Sequence, residues 1–101
     1  KLIEMLYQGA IKSVKIAGIA IENDDLKKAH KELVRAQDIL MELKNSLNTE
    51  IESRVPTDLE ALYDFMNEQL VNANIKKDRT LLPPVIEMLT ELLDAWQQIT
   101  N

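Results

Sequence analysis

The residues that could perform covalent or metal chemistry in this chain are few, and His30 comes first because it is the only histidine. An imidazole can bind a metal ion, act as a general base or accept a phosphoryl group. A metal site would also need cysteine or carboxylate ligands at ligand spacing, but the sequence has no cysteine and no such carboxylate cluster. It also has no glycine-rich phosphate loop, nucleophile elbow or paired acids of a catalytic pocket. We therefore predict no catalysis, no metal site and no cofactor, with His30 solvated on a helix flank.

A second apolar face on the first predicted helix points to noncovalent chemistry instead. At about 100° per residue, Met5, Ile16 and Ile19 project from nearly the opposite side of this helix to its main apolar stripe. A helix in a small bundle buries one stripe and exposes the rest, so a second strip indicates a second partner. The stripe predicted to face the core consists of Ile3, Tyr7, Ala10, Val14, Ala17 and Ile21, with Leu6 beside it.

Apolar residues also lie off the main stripes of the later predicted helices. Any one of them could be an ordinary exposed side chain, but together they favour a surface that accepts helices, to which flexible methionines are suited. Gly9 joins this set because its missing side chain would deepen a groove, although close helix packing explains a mid-helix glycine equally well. The predicted partner-binding residues are Met5, Gly9, Ile16, Ile19, Val34, Met41, Phe65, Val71 and Ile75.

Length and composition exclude several classes of protein. The 101 residues suffice for one domain, and we expect a segment to precede it because the chain starts at Lys1 rather than Met. The formal net charge of −5 disfavours nucleic acid as a partner. The longest apolar run, from Ile16 to Ile21, is far below the roughly 20 residues that cross a bilayer. With no cysteine and no signal peptide, we expect a cytoplasmic protein without membrane insertion.

Four helices with short links account for the whole chain. We predict helices over about 1–22, 25–50 and 57 to 74–77, with a last regular helix from about Pro83. Asp24 or Asp25 is expected to cap the second helix, and Thr57 with Glu60 matches a capping box at the start of the third. The third helix is expected to end with an asparagine in the left-handed conformation. Leu82 is expected to leave helical angles because a proline follows it.

The predicted fold class is all-α, an antiparallel up-down-up-down four-helix bundle. The composition supports it, since helix-favouring residues fill the chain and only two glycines and three prolines occur. The later helices each provide one inward stripe. The predicted members of these stripes are Leu26, Ala29, Leu33, Ala36, Leu40, Leu43 and Leu47 on the second helix; Leu59, Leu62, Tyr63, Met66, Leu70 and Ala73 on the third; and Val85, Ile86, Leu89, Leu92, Leu93, Trp96 and Ile99 on the fourth.

An ordered set of short motifs gives the chain a family resemblance. The motifs are Met5-Leu6-Tyr7-Gln8-Gly9-Ala10, Ile21-Glu22-Asn23-Asp24-Asp25, Arg35-Ala36-Gln37-Asp38-Ile39, Glu42-Leu43, Ser46-Leu47, Leu62-Tyr63-Asp64-Phe65-Met66, the stretch from Leu70 to Asp78, and Ala95-Trp96. In this order the chain resembles the flagellar secretion chaperone family. The likeness spans nearly the whole sequence, and the ordered set is more specific than any single motif.

The resemblance implies a cytoplasmic helical bundle that binds the disordered C-terminal segment of flagellin. It further implies that binding prevents premature polymerisation and aids delivery to the flagellar type III export apparatus, where export components or a co-chaperone could be further partners. A disordered segment that folds on binding can dock short amphipathic helices into grooves between bundle helices, which fits the apolar strips described above.

Two other functions remain open from the sequence. The run Ala29-His30-Lys31-Glu32-Leu33 resembles the phosphoacceptor helix of a histidine phosphotransfer domain, also a four-helix bundle. That resemblance is weaker, because Leu33 and Val34 stand where such domains carry a lysine and a small residue. Alternatively, the extra apolar surface could serve self-association of a structural module.

Overall fold

The computed structural model describes residues 1–50 and 57–100, with side chains described for residues 1–46 and 59–99. The helices are α1 (Leu2–Glu22), α2 (Leu26–Glu50), α3 (Thr57–Lys76) and α4 (Leu82–Thr100), with a 3₁₀ turn at Arg79–Leu81 before α4. All regular structure in these ranges is helical, which confirms the predicted all-α class. No helix in the described ranges combines the length and the hydrophobicity needed to cross a bilayer. The predicted capping box at Thr57 involves a side chain outside the described set.

The turn between α1 and α2 is built from three short polar residues. Asp24 adopts a left-handed conformation, with φ of 61°, which turns the chain after the C-cap residue Asn23. The carboxylate of Asp25 accepts a hydrogen bond from the backbone N–H of Lys28 at 3.2 Å. Asp25 is therefore the N-cap of α2, and it is one of the two residues predicted for that position.

Helix α3 ends at Lys76, within the predicted range, but Lys77 and not an asparagine takes the left-handed conformation, with φ of 50°. Asn74 stays within the helix, where its side chain has two partners. Its amide nitrogen lies 2.9 Å from Nδ1 of His30, and its Oδ1 accepts from the Lys77 ammonium at 2.7 Å. The ammonium also donates to the Asn74 backbone carbonyl at 2.7 Å, and this contact holds Lys77 at the helix end.

Helix α4 starts one residue before the prediction, and the expectation for Leu82 was wrong. Leu82 has helical angles, φ −83° and ψ −41°, although Pro83 follows it. The steric penalty of this conformation is offset because the Leu82 side chain is buried in the core. Pro83 and Pro84 occupy the first turn of α4, where a missing backbone N–H removes no intrahelical hydrogen bond.

Side-chain contacts show how the helices run. Lys44, late in α2, pairs with Asp64, early in α3, at 2.8 Å, whereas His30, early in α2, contacts Asn74, late in α3. These two helices therefore run in opposite directions. Each helix packs against its neighbours in the cyclic order α1, α2, α3, α4, with the α1–α2 interface the most extensive and α3–α4 the sparsest. The arrangement is a four-helix bundle whose diagonal pairs are α1–α3 and α2–α4.

The core contains most of the predicted stripe residues. Leu26 and Ile99 are exceptions: both were predicted to face inward and are exposed. Each lies in a terminal turn of its helix, where fewer neighbouring helices can cover a side chain. Ile21 is half-buried, and the Leu47 side chain lies outside the described set. The buried cluster is Ile3, Tyr7, Ala10, Val14, Ala17, Leu33, Ala36, Leu40, Leu43, Tyr63, Met66, Leu70, Ala73, Leu82, Val85 and Leu89.

Candidate functional site

The bundle leaves a substantial apolar surface uncovered, and it coincides with most of the predicted partner-binding residues. Gly9, Ile16 and Val71 are half-buried. The other six have relative exposures from 37% to 76%, which is high for large apolar side chains in a small domain. They are Met5, Ile19, Val34, Met41, Phe65 and Ile75.

The outer face of α1 carries three adjoining grooves, and Ile19 lines all of them. One groove of about 350 Å³ runs along α1 itself, between Gln8 and Ile19. Another, of about 230 Å³, lies where the end of α1 meets the start of α2 at Lys28. Ile16 lines both of these grooves. Two of the predicted residues therefore share a single concave surface.

The third groove, of about 310 Å³, lies between α1 and the start of α4. A side-chain carbon at Gly18 would stand 3.6 Å from Cδ1 of Leu82, an ordinary van der Waals contact, so Gly18 faces the Leu82 side chain across this groove. The exposed Pro83 and the half-buried Ile86 provide apolar walls. The complete lining is Val14, Lys15, Gly18, Ile19, Glu22, Arg79, Leu82, Pro83 and Ile86.

Gly9 lies at the contact between α1 and α2. A side-chain carbon added there would stand 3.4 Å from Cδ1 of Ile39 on α2. That distance is an ordinary van der Waals contact, so the packing of α1 against α2 does not require a glycine at Gly9. Its contribution to a partner site stays a prediction.

Of the remaining predicted residues, Met5 lies on α1 but lines none of the three grooves, and the others belong to α2 or α3. Phe65, Val71 and Ile75 belong to α3, the diagonal partner of α1. Met41 lines a small cavity of about 10 Å³ between α2 and α3, together with Lys44 and other residues. The exposed apolar side chains thus form at least two separate surfaces, one on α1 and one on the opposite side of the bundle.

Several residues of the α1 surface were absent from the predicted set, notably Ile11, Lys12 and Lys15. The groove along α1 is lined by Gln8, Ile11, Lys12, Lys15, Ile16 and Ile19. These residues follow the spacing i, i+3, i+4, i+7, i+8 and i+11, which is one face of a helix. The signal was therefore present in the sequence, but a search restricted to apolar residues opposite the core passes over the lysines.

A hydrogen bond between Tyr7 and Tyr63 joins α1 to α3 across the bundle interior. Both side chains are buried, and burial raises the pKa of each hydroxyl above the ordinary tyrosine value. For Tyr63, the hydrogen bond to Tyr7 raises the pKa further. Both hydroxyls are therefore protonated at physiological pH, and the pair packs within the core.

His30 lies exposed on α2 with its Nδ1 atom beside the Asn74 amide. The arrangement holds the ring against α3 and leaves Nε2 as the ring nitrogen outside that contact. Over the described parts of the chain, no group of three or more histidine, aspartate or glutamate side chains is placed to hold a metal ion. The chemistry available on this surface is accordingly the burial of apolar groups and the pairing of charges.

Comparison with known proteins identifies the family. The model of the family described as flagellar protein FliS matches residues 1–101. The flagellar secretion chaperone FliS of Bacillus subtilis is 43% identical over 94 residues, 93% of this chain and 69% of that protein. Its counterpart in Vibrio cholerae is 34% identical over 99 residues, 98% of this chain and 73% of that protein. The relative in Salmonella typhimurium is 33% identical over 101 residues, which cover 99% of this chain and 75% of that protein. The chain belongs to the FliS family of flagellar secretion chaperones.

Proposed function

We propose that this chain binds the disordered C-terminal segment of flagellin in the cytoplasm, prevents its premature polymerisation and aids its delivery to the flagellar type III export apparatus. Export components or a co-chaperone would be its further partners. Family membership supports a chaperone role, and we propose that this chain acts by noncovalent binding of its client. The nine predicted residues are proposed as contacts for this client.

The observation that carries the proposal is the apolar surface left exposed around a finished core. The buried cluster receives residues from all four helices, so the exposed side chains are not needed to complete it. Large exposed apolar side chains on two sides of a small bundle are typical of a protein that a flexible partner wraps around. Docked amphipathic helices would cover them, and the cost of ordering the client would keep the complex reversible.

Isothermal titration calorimetry with the C-terminal segment of the cognate flagellin tests the proposal. We expect saturable binding and a negative heat-capacity change from the burial of apolar surface. A matched segment in which every second apolar residue is replaced by serine serves as the control. No heat of binding, or equal binding of both segments, would contradict the proposed function.

The exposed apolar residue Phe65 offers a second test on the α3 side of the bundle. Phe65→Ser removes apolar surface outside the core, so it should leave the thermal unfolding midpoint nearly unchanged while weakening client binding. Exposed Ala61, one turn earlier on α3, gives the matched control as Ala61→Ser. Equal affinities for the two variants would remove Phe65 from the proposed contacts.

A further inference from the structure

We propose that the three grooves on the outer face of α1 bind an amphipathic helix whose apolar row is flanked by acidic side chains. This inference deepens the proposed function and rests on it, because the natural occupant would be a helix-forming stretch of the flagellin client. It adds the place of binding and the charge of the bound segment, both of which follow from this surface.

The shape of the surface argues for a helix as the occupant. The three grooves meet at Ile19 and extend from Gln8 on α1 to Ile86 on α4 and Lys28 on α2. Ile11, Ile16 and Ile19 provide the apolar part of the groove along α1, spread over more than two turns of the helix. A second helix packs onto such a row by placing its own apolar side chains, spaced three and four residues apart, between them.

Charge identifies the kind of helix. Four cationic side chains line the grooves, against two carboxylates, one of which already caps α2. All four cations are exposed, and none forms an ion pair within the part of the chain that the structure describes. The cations are Lys12, Lys15, Lys28 and Arg79, and the carboxylates are Glu22 and Asp25.

This local excess of positive charge runs against the charge of the whole molecule. The formal net charge is −5, and no lysine or arginine occurs after Arg79, while α4 carries Glu87, Glu91 and Asp94. Exposed lysines around an apolar groove are unfavourable neighbours for a basic segment and favourable ones for an acidic segment. The basic rim therefore selects its occupant by charge, and the apolar floor provides most of the affinity.

Two designed peptides test the preference directly. Both are amphipathic helices with leucine at i, i+3, i+4 and i+7, and glutamate flanks the row in one peptide while lysine flanks it in the other. The net charge of the chain alone predicts that the basic peptide binds better, whereas the α1 rim predicts the opposite. We expect the acidic peptide to bind about tenfold more tightly at low salt, with the difference shrinking as salt is added. Equal binding, or preference for the basic peptide, would overturn the inference.

Matched variants locate the site. Ile19→Ser should weaken binding of the acidic peptide about tenfold, because the isoleucine is 59% exposed and becomes covered. Ile99→Ser is the control, since that isoleucine is 77% exposed at the far end of α4 and lines none of these three grooves. Lys15→Glu should weaken binding in a salt-dependent manner, whereas the same change at exposed Lys31 on α2 should have a smaller effect. Control variants that weaken binding as strongly as the groove variants would contradict the assigned place.

The flagellin segment separates the failure of this inference from the failure of the proposed function. If the flagellin segment binds the Ile19→Ser and Lys15→Glu variants as tightly as it binds the unsubstituted chain, the inference is overturned and the chaperone function stands. A segment that does not bind at all would overturn the proposed function, and the designed peptides would still decide the groove chemistry. Sedimentation of the chain alone completes the test. A dimer dispersed by Ile19→Ser would assign the grooves to a second copy and refute the inference.

Discussion

Replacing Tyr63 by phenylalanine tests how strongly the buried hydroxyl pair stabilises the bundle. Tyr7 and Tyr63 are each only 2% exposed, and their hydroxyls are hydrogen-bonded to each other. Phenylalanine keeps the ring that packs in the core but removes one partner, so the other hydroxyl is left buried without the bond it makes now. An unsatisfied buried hydroxyl costs about 1–3 kcal/mol, and we expect Tyr63→Phe and Tyr7→Phe each to lower the free energy of unfolding by that amount.

The double variant distinguishes this explanation from a simple loss of two polar groups. When both hydroxyls are removed, no donor or acceptor of the pair remains buried, so the double variant should lose less stability than the two single variants combined. The difference is the coupling energy between the hydroxyls, expected to be about 1 kcal/mol or more for groups in direct contact. Urea unfolding followed by circular dichroism gives the four free energies that the cycle requires.

Thermal unfolding provides an independent reading of the same cycle. For a domain of about this size, 1 kcal/mol corresponds to a shift of about 4–8 °C in Tm, so the single variants are readily resolved. If the stability loss of the double variant equals the sum of the two single-variant losses within about 0.5 kcal/mol, the hydroxyls act independently. That result would refute the claim that their hydrogen bond joins α1 to α3.

Four further outcomes are expected. Because the folded-state pKa values of the tyrosine pair are raised, wild-type stability should be fully present below pH of about 10 and fall as pH rises above it, and less steeply in the double phenylalanine variant. Gly9→Ala should raise the free energy of unfolding by up to about 1 kcal/mol, because the added methyl makes an ordinary contact with Ile39; calorimetry with the client then shows whether Gly9 is a contact. Asp25→Ala should lower stability by about 1 kcal/mol through loss of the α2 cap, whereas Asp24→Gly should raise it by relieving the left-handed conformation, as urea unfolding can measure. Incubation with a phosphorylated response regulator should leave no label on His30, and label that disappears in His30→Gln would support phosphotransfer instead.

The helices and most of the core follow from the sequence because both depend on local periodicity. The spacing of Ala29, Leu33, Ala36 and Leu40 places them on one face, and the structure buries all four. The turn at Asp24 and Asp25 follows from short polar side chains that bond to nearby backbone. The same periodicity makes Met5, Ile19 and Phe65 surplus to the core, and all three are exposed.

The incorrect predictions occur where a distant contact decides the local conformation. The sequence around Leu82 argues against helical angles, yet burial of that side chain beneath α1 holds it there. Asparagine favours a left-handed cap, but the Asn74 side chain contacts His30 on another helix, and Asn74 stays within α3. Leu26 belongs to a clean apolar stripe, but only the arrangement of neighbouring helices shows that it stays 42% exposed.

By itself, the sequence determined the number of helices, the face that each buries and the existence of spare apolar surface, because these properties arise within single helices. Only the tertiary structure decided which surface residues meet. Ile19 shares one groove with Lys28 and another with Arg79 because α2 and α4 pack on either side of α1, whereas Phe65 and Ile75 lie on the diagonal helix. A binding surface is a juxtaposition between elements, and the packing of those elements depends on contacts between residues far apart in the chain.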